Sequence, residues 1–326
     1  MKAKKLIPIL ALAIGLSAFG GCTNVDQKVN FGNLWNESVV DTTAQINETL
    51  VYDVTFEAND VSLVDYTMQY TEGTYTANLV SSTENGKTVY TYKTELSIKA
   101  HYTLNEETAT FTDSVTSTVK FLAGNYGFQP ISSEKEINAS SPTAIYTTLE
   151  DCYQCYHYKT KITYNEDGSA GEASVARYSI DDATAEPIID DNSFEIDKKK
   201  FSYLDNEQLL VALRGIYPRT TSAKFLVYSP FVEVVQKVSC TFSTEESKEF
   251  SFYKNGGAEK VSETITCRPV SIVLDEQNPG ATQKALIAKP IDTSKNTHRN
   301  IILSLETPLA YGLGTMIYTL RSVSYQ

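Results

Sequence analysis

From residue 50 onward, apolar and polar positions alternate with a period of two, which puts successive side chains on opposite faces of an extended strand. The first stretch places Leu50, Tyr52, Val54, Phe56 and Ala58 on one face. Four further segments can be tested together, because a hairpin register must bring the apolar faces of both strands to the same side. In 63–71 the apolar set is Val64, Tyr66, Met68 and Tyr70, and in 74–84 it is Tyr75, Ala77 and Leu79. A two-residue turn at Glu72-Gly73 sets Tyr70 opposite Tyr75 and Met68 opposite Ala77. Asn85-Gly86, the strongest short hairpin signal, sets Leu79 opposite Tyr92 and Tyr75 opposite Leu96. A loop at Asn105 and Glu106 then sets Ala100 opposite Phe111, Leu96 opposite Val115 and Tyr92 opposite Val119. Three turns that agree on one face predict a four-stranded antiparallel meander over 63–122, with Tyr75, Leu79, Tyr92, Leu96, Val115 and Val119 turned inward. Asp113 is the one charge on that face, opposite Ile98, and points to a sheet rim or a wet cavity.

The flanking chain is less regular. Trp35, Val39, Ile46 and Leu50 stand at helical spacing and predict a short helix within 34–50. Residues 123–150, with Gly124, Gly127, Pro130 and Ser140-Ser141-Pro142, read as a connection. Strands follow at 156–164 and on to about residue 180, then an acidic exposed loop over 181–192 and a strand-like stretch over 194–204. Asp205 to Gly215 is the clearest helix: Asp205 can cap it, Gln208 sits three residues on, and Gly215 can end it. Strand patterns return at 221–228, 231–243, 248–254, 258–274, 300–306 and 313–325, with an Asn255-Gly256 turn setting Phe250 opposite Val261. The fold class is therefore mainly β: antiparallel meanders forming a large twisted sheet, half-barrel or sandwich, with one or two short helices. The 21 tyrosines and 13 phenylalanines fit that reading, since aromatic side chains favour strands.

Ahead of this pattern lies a different kind of segment. Lys2, Lys4 and Lys5 precede an apolar run from Leu6 to Phe19, and Gly20-Gly21-Cys22 closes it. That succession marks export, and the run is short for a spanning helix. It resembles the signal peptide of bacterial lipoproteins, although Phe19 stands where leucine is usual. The resemblance implies cleavage before Cys22 and diacylglycerol on its thiol, so that 1–21 is a leader, 22–33 a tether and 34–326 a β-rich body. That body can form two similarly built halves dividing near 140–200. The implied location is the extracytoplasmic face of a bacterial cell membrane, held there through Cys22.

Charge narrows the partners. The chain has a net charge of −12, and loss of the three leader lysines makes it −15. Such a surface argues against nucleic acid and would be repelled by anionic headgroups, so attachment rests on the covalent lipid.

Four cysteines remain for chemistry. Cys152 and Cys155 are spaced for a local disulfide or stand as two unpaired thiols. With His157 they supply only three soft ligands, one short of a closed zinc site. Cys240 and Cys267 lie on apolar parities and read as small buried residues. His101 and His157 fall on polar parities. No nucleophile elbow, zinc-protease motif or phosphate-binding glycine loop occurs, and no cofactor or metal is implied. Acidic turns such as Asn165 to Gly168 lack the alternating spacing of calcium loops. The leading function is a lipid-anchored, non-catalytic extracytoplasmic surface protein that binds a protein or envelope component. A carrier or binder of a hydrophobic ligand, of half-barrel type, is the alternative. An extracytoplasmic hydrolase built on dispersed carboxylates is a third. An apolar cavity between sheet and helix would favour the carrier, and a converged acid pair the enzyme.

Overall fold

The computed structural model describes residues 28–42, 45–60, 62–124, 127–197, 201–274 and 282–325. The leader, Cys22 and the first residues of the tether lie outside that set. Among the described residues, sixteen strands form one sheet that closes into a barrel around a single short α-helix. In chain order they are β1 (Asn47–Ala58), β2 (Thr67–Glu84), β3 (Lys87–Leu104), β4 (Glu107–Leu122), β5 (Gln129–Pro142), β6 (Tyr153–Tyr164), β7 (Ala170–Tyr178), β8 (Ile188–Glu195), β9 (Ser202–Leu204), α1 (Leu209–Gly215), β10 (Ser222–Ser229), β11 (Val234–Phe242), β12 (Glu246–Lys254), β13 (Lys260–Val273), β14 (Gln283–Ile287), β15 (Ile302–Pro308) and β16 (Gly314–Tyr325). The sheet order runs β8 to β1 in sequence, then β16, β15, β14, β13, β11, β10 and β9, while β12 pairs with β13 and β16.

The ends of this path meet through side chains. Phe194 of β8 stacks on Tyr228 of β10 at 4.0 Å between ring centroids. Tyr203 of β9 donates to the Tyr164 hydroxyl of β6 at 2.9 Å. Edge strands left open would template pairing with other chains, and aromatic contacts cover part of both edges here.

Most of the predicted pairings hold. Leu79 faces Tyr92 and Tyr75 faces Leu96 across the Asn85-Gly86 turn, and Leu96 faces Val115, Tyr92 faces Val119 and Ala100 faces Phe111. The Glu72-Gly73 turn does not form. β2 runs straight through it with a bulge, pairing Tyr70 with Ala100 and Met68 with Tyr102. The glycine is needed because β1 passes close by: a β-carbon on Gly73 would stand 2.5 Å from the Val54 carbonyl oxygen. The same dipeptide serves a turn or a bulge, and the length of ladder with β3 decides for the bulge. The meander thus has three strands within 67–122, and its fourth member is β5.

β5 corrects the reading of 123–150 as a connection. Its inward residues Ser133, Lys135, Ile137 and Ala139 alternate with outward Glu134, Glu136 and Asn138, but half of the inward set is polar, so the hydrophobic signal is weak. Residues 34–42 form turns and an isolated bridge instead of a helix: Trp35 and, further on, Ile46 are buried, whereas Val39 and Val40 are exposed, which breaks the helical stripe. The acidic loop is shorter than expected, since 188–195 is β8, and 194–204 divides between β8 and β9. β14 carried no recognised pattern. At the Asn255-Gly256 turn the loop is longer than two residues, so Phe252, and not Phe250, faces Val261.

The helix forms as the sequence indicates. The Asp205 carboxylate accepts from the Glu207 N–H at 2.8 Å, and the Gln208 side chain accepts from the Asp205 N–H at 2.9 Å. This capping box opens a 3-10 turn over Asn206–Gln208 that runs into α1. Seven residues make too short a helix to persist alone, so packing must hold it. Leu209, Val211, Ala212 and Leu213 are all buried in one core with Trp35, Phe121, Phe128 and Phe225. Gly215 is the last helical residue, and Phe128 leaves room only for glycine there: a β-carbon would sit 2.5 Å from its ring.

Candidate binding cavity

One row of inward residues crosses four neighbouring strands. Thr94 of β3 faces Ser117 of β4, Ser117 faces Lys135 of β5, and Lys135 faces Thr160 of β6. The rows on either side are more apolar: Leu96, Val115, Ile137 and Tyr158 on one, Tyr92, Val119, Ser133 and Ile162 on the other. The barrel wall therefore carries a polar band between largely apolar bands. Strand period and register alone produce it.

The helix entry lies over this band. Lys135 Nζ donates to Glu207 Oε1 at 2.9 Å, with the two side chains 8% and 14% exposed. Asn206 Nδ2 donates to the same oxygen at 3.0 Å. Beside them lies a cavity of about 130 Å³, between Tyr75, Tyr92, Leu96 and Val115 of β2 to β4, Leu305 and Tyr318 of the nearby β15 and β16, and Leu209 and Leu210 of the helix. Thr94, Lys135, Asn206, Glu207, Gln283 and Thr307 supply its polar wall. Tyr75 meets Tyr318 edge-on at 5.5 Å. Burial pushes the Tyr92 hydroxyl up to about 12 and raises Tyr75 and Tyr318 as well, so all three line the cavity as neutral phenols at neutral pH. Tyr75, Leu96 and Val115 have the inward parity expected of them but are only half-buried, because they border this space. A second, more open groove of about 590 Å³ lies at the barrel edge, along Thr163, Tyr164, Ala170, Gly171 and Ser193 to Glu195.

Asp205 and Glu207 are the two acids that approach each other beneath the helix. Burial raises the Asp205 carboxyl above its ordinary range, and the charge of Glu207 adds to the shift. Asp205 Oδ2 nevertheless accepts from Ser133 Oγ and from the Tyr164 hydroxyl, both at 2.6 Å, while Oδ1 holds the cap. A carboxylate saturated on both oxygens and fully buried is a structural cap, and its neighbour is engaged by Lys135.

The other residues singled out by sequence lie elsewhere. Cys22 is outside the described residues. Cys152 is buried in a 3-10 turn, where its thiol donates to the Thr148 carbonyl, and Cys155 on β6 faces Ser140 of β5. Both thiols are free, and burial raises both above the ordinary thiol range. His157 turns to Glu136 at 2.8 Å and stacks on Tyr178. Cys240 and Cys267 are buried and free; β11 pairs with β13, placing Cys240 opposite Ile272, five residues along the strand from Cys267. Burial lifts their thiols to about 12 and about 11. Asp113 is enclosed, where it accepts from the Ser140 N–H at 2.9 Å and from Ser140 Oγ at 3.1 Å. Among the described residues no three histidine, cysteine or acidic side chains converge as a metal site.

Lys135, Asn206 and Glu207 were not marked by sequence. Lys135 lay in a segment taken for a connection, although Ser-Glu-Lys-Glu-Ile does alternate. Asn206 and Glu207 followed a recognised cap, but nothing in the sequence indicates what the cap faces.

No protein-family sequence model matches the chain, and no curated protein matches it. Among solved structures it is similar to a crystal structure described as a β-barrel-like protein of the domain of unknown function DUF1849 from Brucella abortus, at 10% identity and a TM-score of 0.49, covering 87% of this chain and all of the other.

Proposed function

We propose that this chain is a lipid-anchored, extracytoplasmic, non-catalytic binding protein whose barrel takes up a small hydrophobic ligand. The observation that carries the reading is the cavity between sheet and helix. Its walls are mostly apolar and aromatic with a few converging polar groups, the usual make-up of a small-molecule site. Its size limits the guest. An engineered apolar cavity of ~150 Å³ binds benzene, whereas drug-sized ligands occupy ~300–1,000 Å³. A space of about 130 Å³ seats one ring or a short branched chain, and a diacyl lipid does not fit it. The setting of Asp205 supports binding over hydrolysis, because the carboxylate is fully buried and both of its oxygens are already engaged by groups of the fold.

Ligand-observed NMR of the purified chain with toluene and phenol tests the cavity. Saturation transfer to at least one probe is expected, and Leu210→Trp, which fills the space, should abolish it. No transfer to either probe would contradict the reading. The anchor is tested separately by mass spectrometry of the N-terminal peptide from membranes. A diacylglyceryl adduct on Cys22 is expected, and an unmodified Cys22 thiol would contradict the anchor.

A further inference from the structure

One stretch of sheet edge has no strand beside it. β8 pairs with β7 along its whole length, and among the described residues no other strand bonds to its far side. The aromatic contact that joins β8 to β10 involves Phe194, near the C-terminal end of the strand. Ahead of it Ile188 and Ile189 are 69% and 58% exposed. Neighbouring strand residues point to opposite faces, so the sheet is uncovered on both sides there. The backbone N–H and C=O groups along such an edge are a template for one more strand. The open groove along Ser193 to Glu195 continues the same edge and gives an incoming chain room.

Charge decides what kind of strand fits. Asp191 and Glu195 are exposed on one face of β8, and exposed Glu172 stands on the same face of β7, opposite Ser193. β8 itself carries no basic residue. Arg177 is engaged by Asp190 on the other face, and Lys161, in the same row as Asp191, turns to Glu134 on its far side. Like charges set opposite each other destabilise a strand pair, and opposite charges support it. A second copy of β8 laid antiparallel would bring Asp191 and Glu195 of both chains onto one face, so self-pairing is opposed. A strand with a basic residue at every second position is favoured, its alternate apolar residues lying on the other face beside Ile188.

We propose that β8 is a docking edge for an extended basic segment of a partner protein, which adds as a further strand with its basic side chains beside Asp191 and Glu195. This surface is independent of the cavity, and either can fail without the other. The probes are a short peptide of alternating lysine and valine, its glutamate and valine counterpart, and the lysine peptide N-methylated throughout, which keeps the charge but has no N–H to donate. The lysine peptide should bind the purified chain about tenfold more tightly than the glutamate peptide, and the N-methylated form should not bind. Amide hydrogen exchange should slow along Ile188–Glu195 when the lysine peptide is added. Asp191→Lys combined with Glu195→Lys, checked for a normal melting transition, should reverse the preference between the two charged peptides. If that variant does not fold, the peptides and the exchange pattern of the unaltered chain decide. Binding of the N-methylated peptide as tightly as its parent would overturn the inference, because charge alone would then hold the peptide. Exchange slowed elsewhere and not along β8, equal affinity for the two charged peptides, or binding of neither would overturn it as well.

Discussion

The barrel contains two closely bonded ion pairs near the same short helix, and they differ in how much of the fold each ties together. At the C-terminal end of α1, Arg214 and Glu48 are 2% and 1% exposed, with contacts of 2.6 and 2.9 Å from both guanidinium nitrogens to both carboxylate oxygens. Arg214 Nη2 also donates to the carbonyls of Trp35 and Arg299. At the helix entry, Lys135 and Glu207 meet through one contact, beside a cavity and an unpaired amide oxygen. Replacing a buried pair with apolar residues is often neutral, so neither pair need exist for stability alone. What separates them is reach. The Arg214 guanidinium joins Glu48 and the backbone carbonyls of two further distant segments, at Trp35 and Arg299, and fixes how they meet, although its Nε stays unpaired, whereas the Lys135 pair makes one contact and borders a cavity.

Breaking the more deeply buried pair gives the largest effect. Arg214→Ala strands the Glu48 carboxylate in the core and should cost about 3–5 kcal/mol in denaturant unfolding. A loss below ~1 kcal/mol would show that water reaches Glu48, and the two pairs would then not differ. Core truncations on the two sides sharpen the comparison. Leu79→Ala, in the packed core at 1% exposure, should cost about 2–5 kcal/mol. Leu96→Ala, at the cavity wall on the same face, should cost clearly less, and the outward Glu95→Ala next to nothing. Equal losses at Leu79 and Leu96 would mean that the cavity is closed in solution. Lys135→Met should cost under ~2 kcal/mol, because Glu207 keeps the Asn206 amide and partial access to water.

The smallest effect is a pH dependence away from both pairs. Burial raises Asp113 from 3.8 to about 6, against the opposing pull of the Ser140 hydrogen bonds. A folded state that favours the protonated acid gains stability from it below about 3.8 and loses that gain as pH rises through about 6. Asp113→Asn should therefore flatten this part of the profile. The unaltered chain should lose more melting temperature between pH 5 and 7 than the variant, and parallel profiles would contradict the assignment.

The same contrast between filled and unfilled space explains what the sequence revealed. Packed strands advertise themselves: Leu79 opposite Tyr92 and Tyr92 opposite Val119 follow from alternation and from Asn-Gly turn chemistry. Asp113, flagged as the one charge on an apolar face, does sit opposite Ile98 and is held there by Ser140. β5 was hidden because its inner face mixes Ser133 and Lys135 with Ile137 and Ala139, so that only half of the inward positions carry an apolar signal. Glu72-Gly73 misled because glycine there answers to the neighbouring β1, a contact remote in sequence. The site inherits both problems. Lys135 lies on the hidden strand, and Asn206 is distinguished only by a hydrogen bond it does not make.

A crystal of the chain soaked with 4-bromophenol tests the central claim most directly, because bromine scatters anomalously and marks the ring's direction. The predicted result is a bromine peak within the cavity lined by Tyr75, Tyr318 and Leu210. Bromine found only in the open groove along Thr163 and Ser193, or nowhere on the protein, would contradict the assignment of this cavity as the binding site.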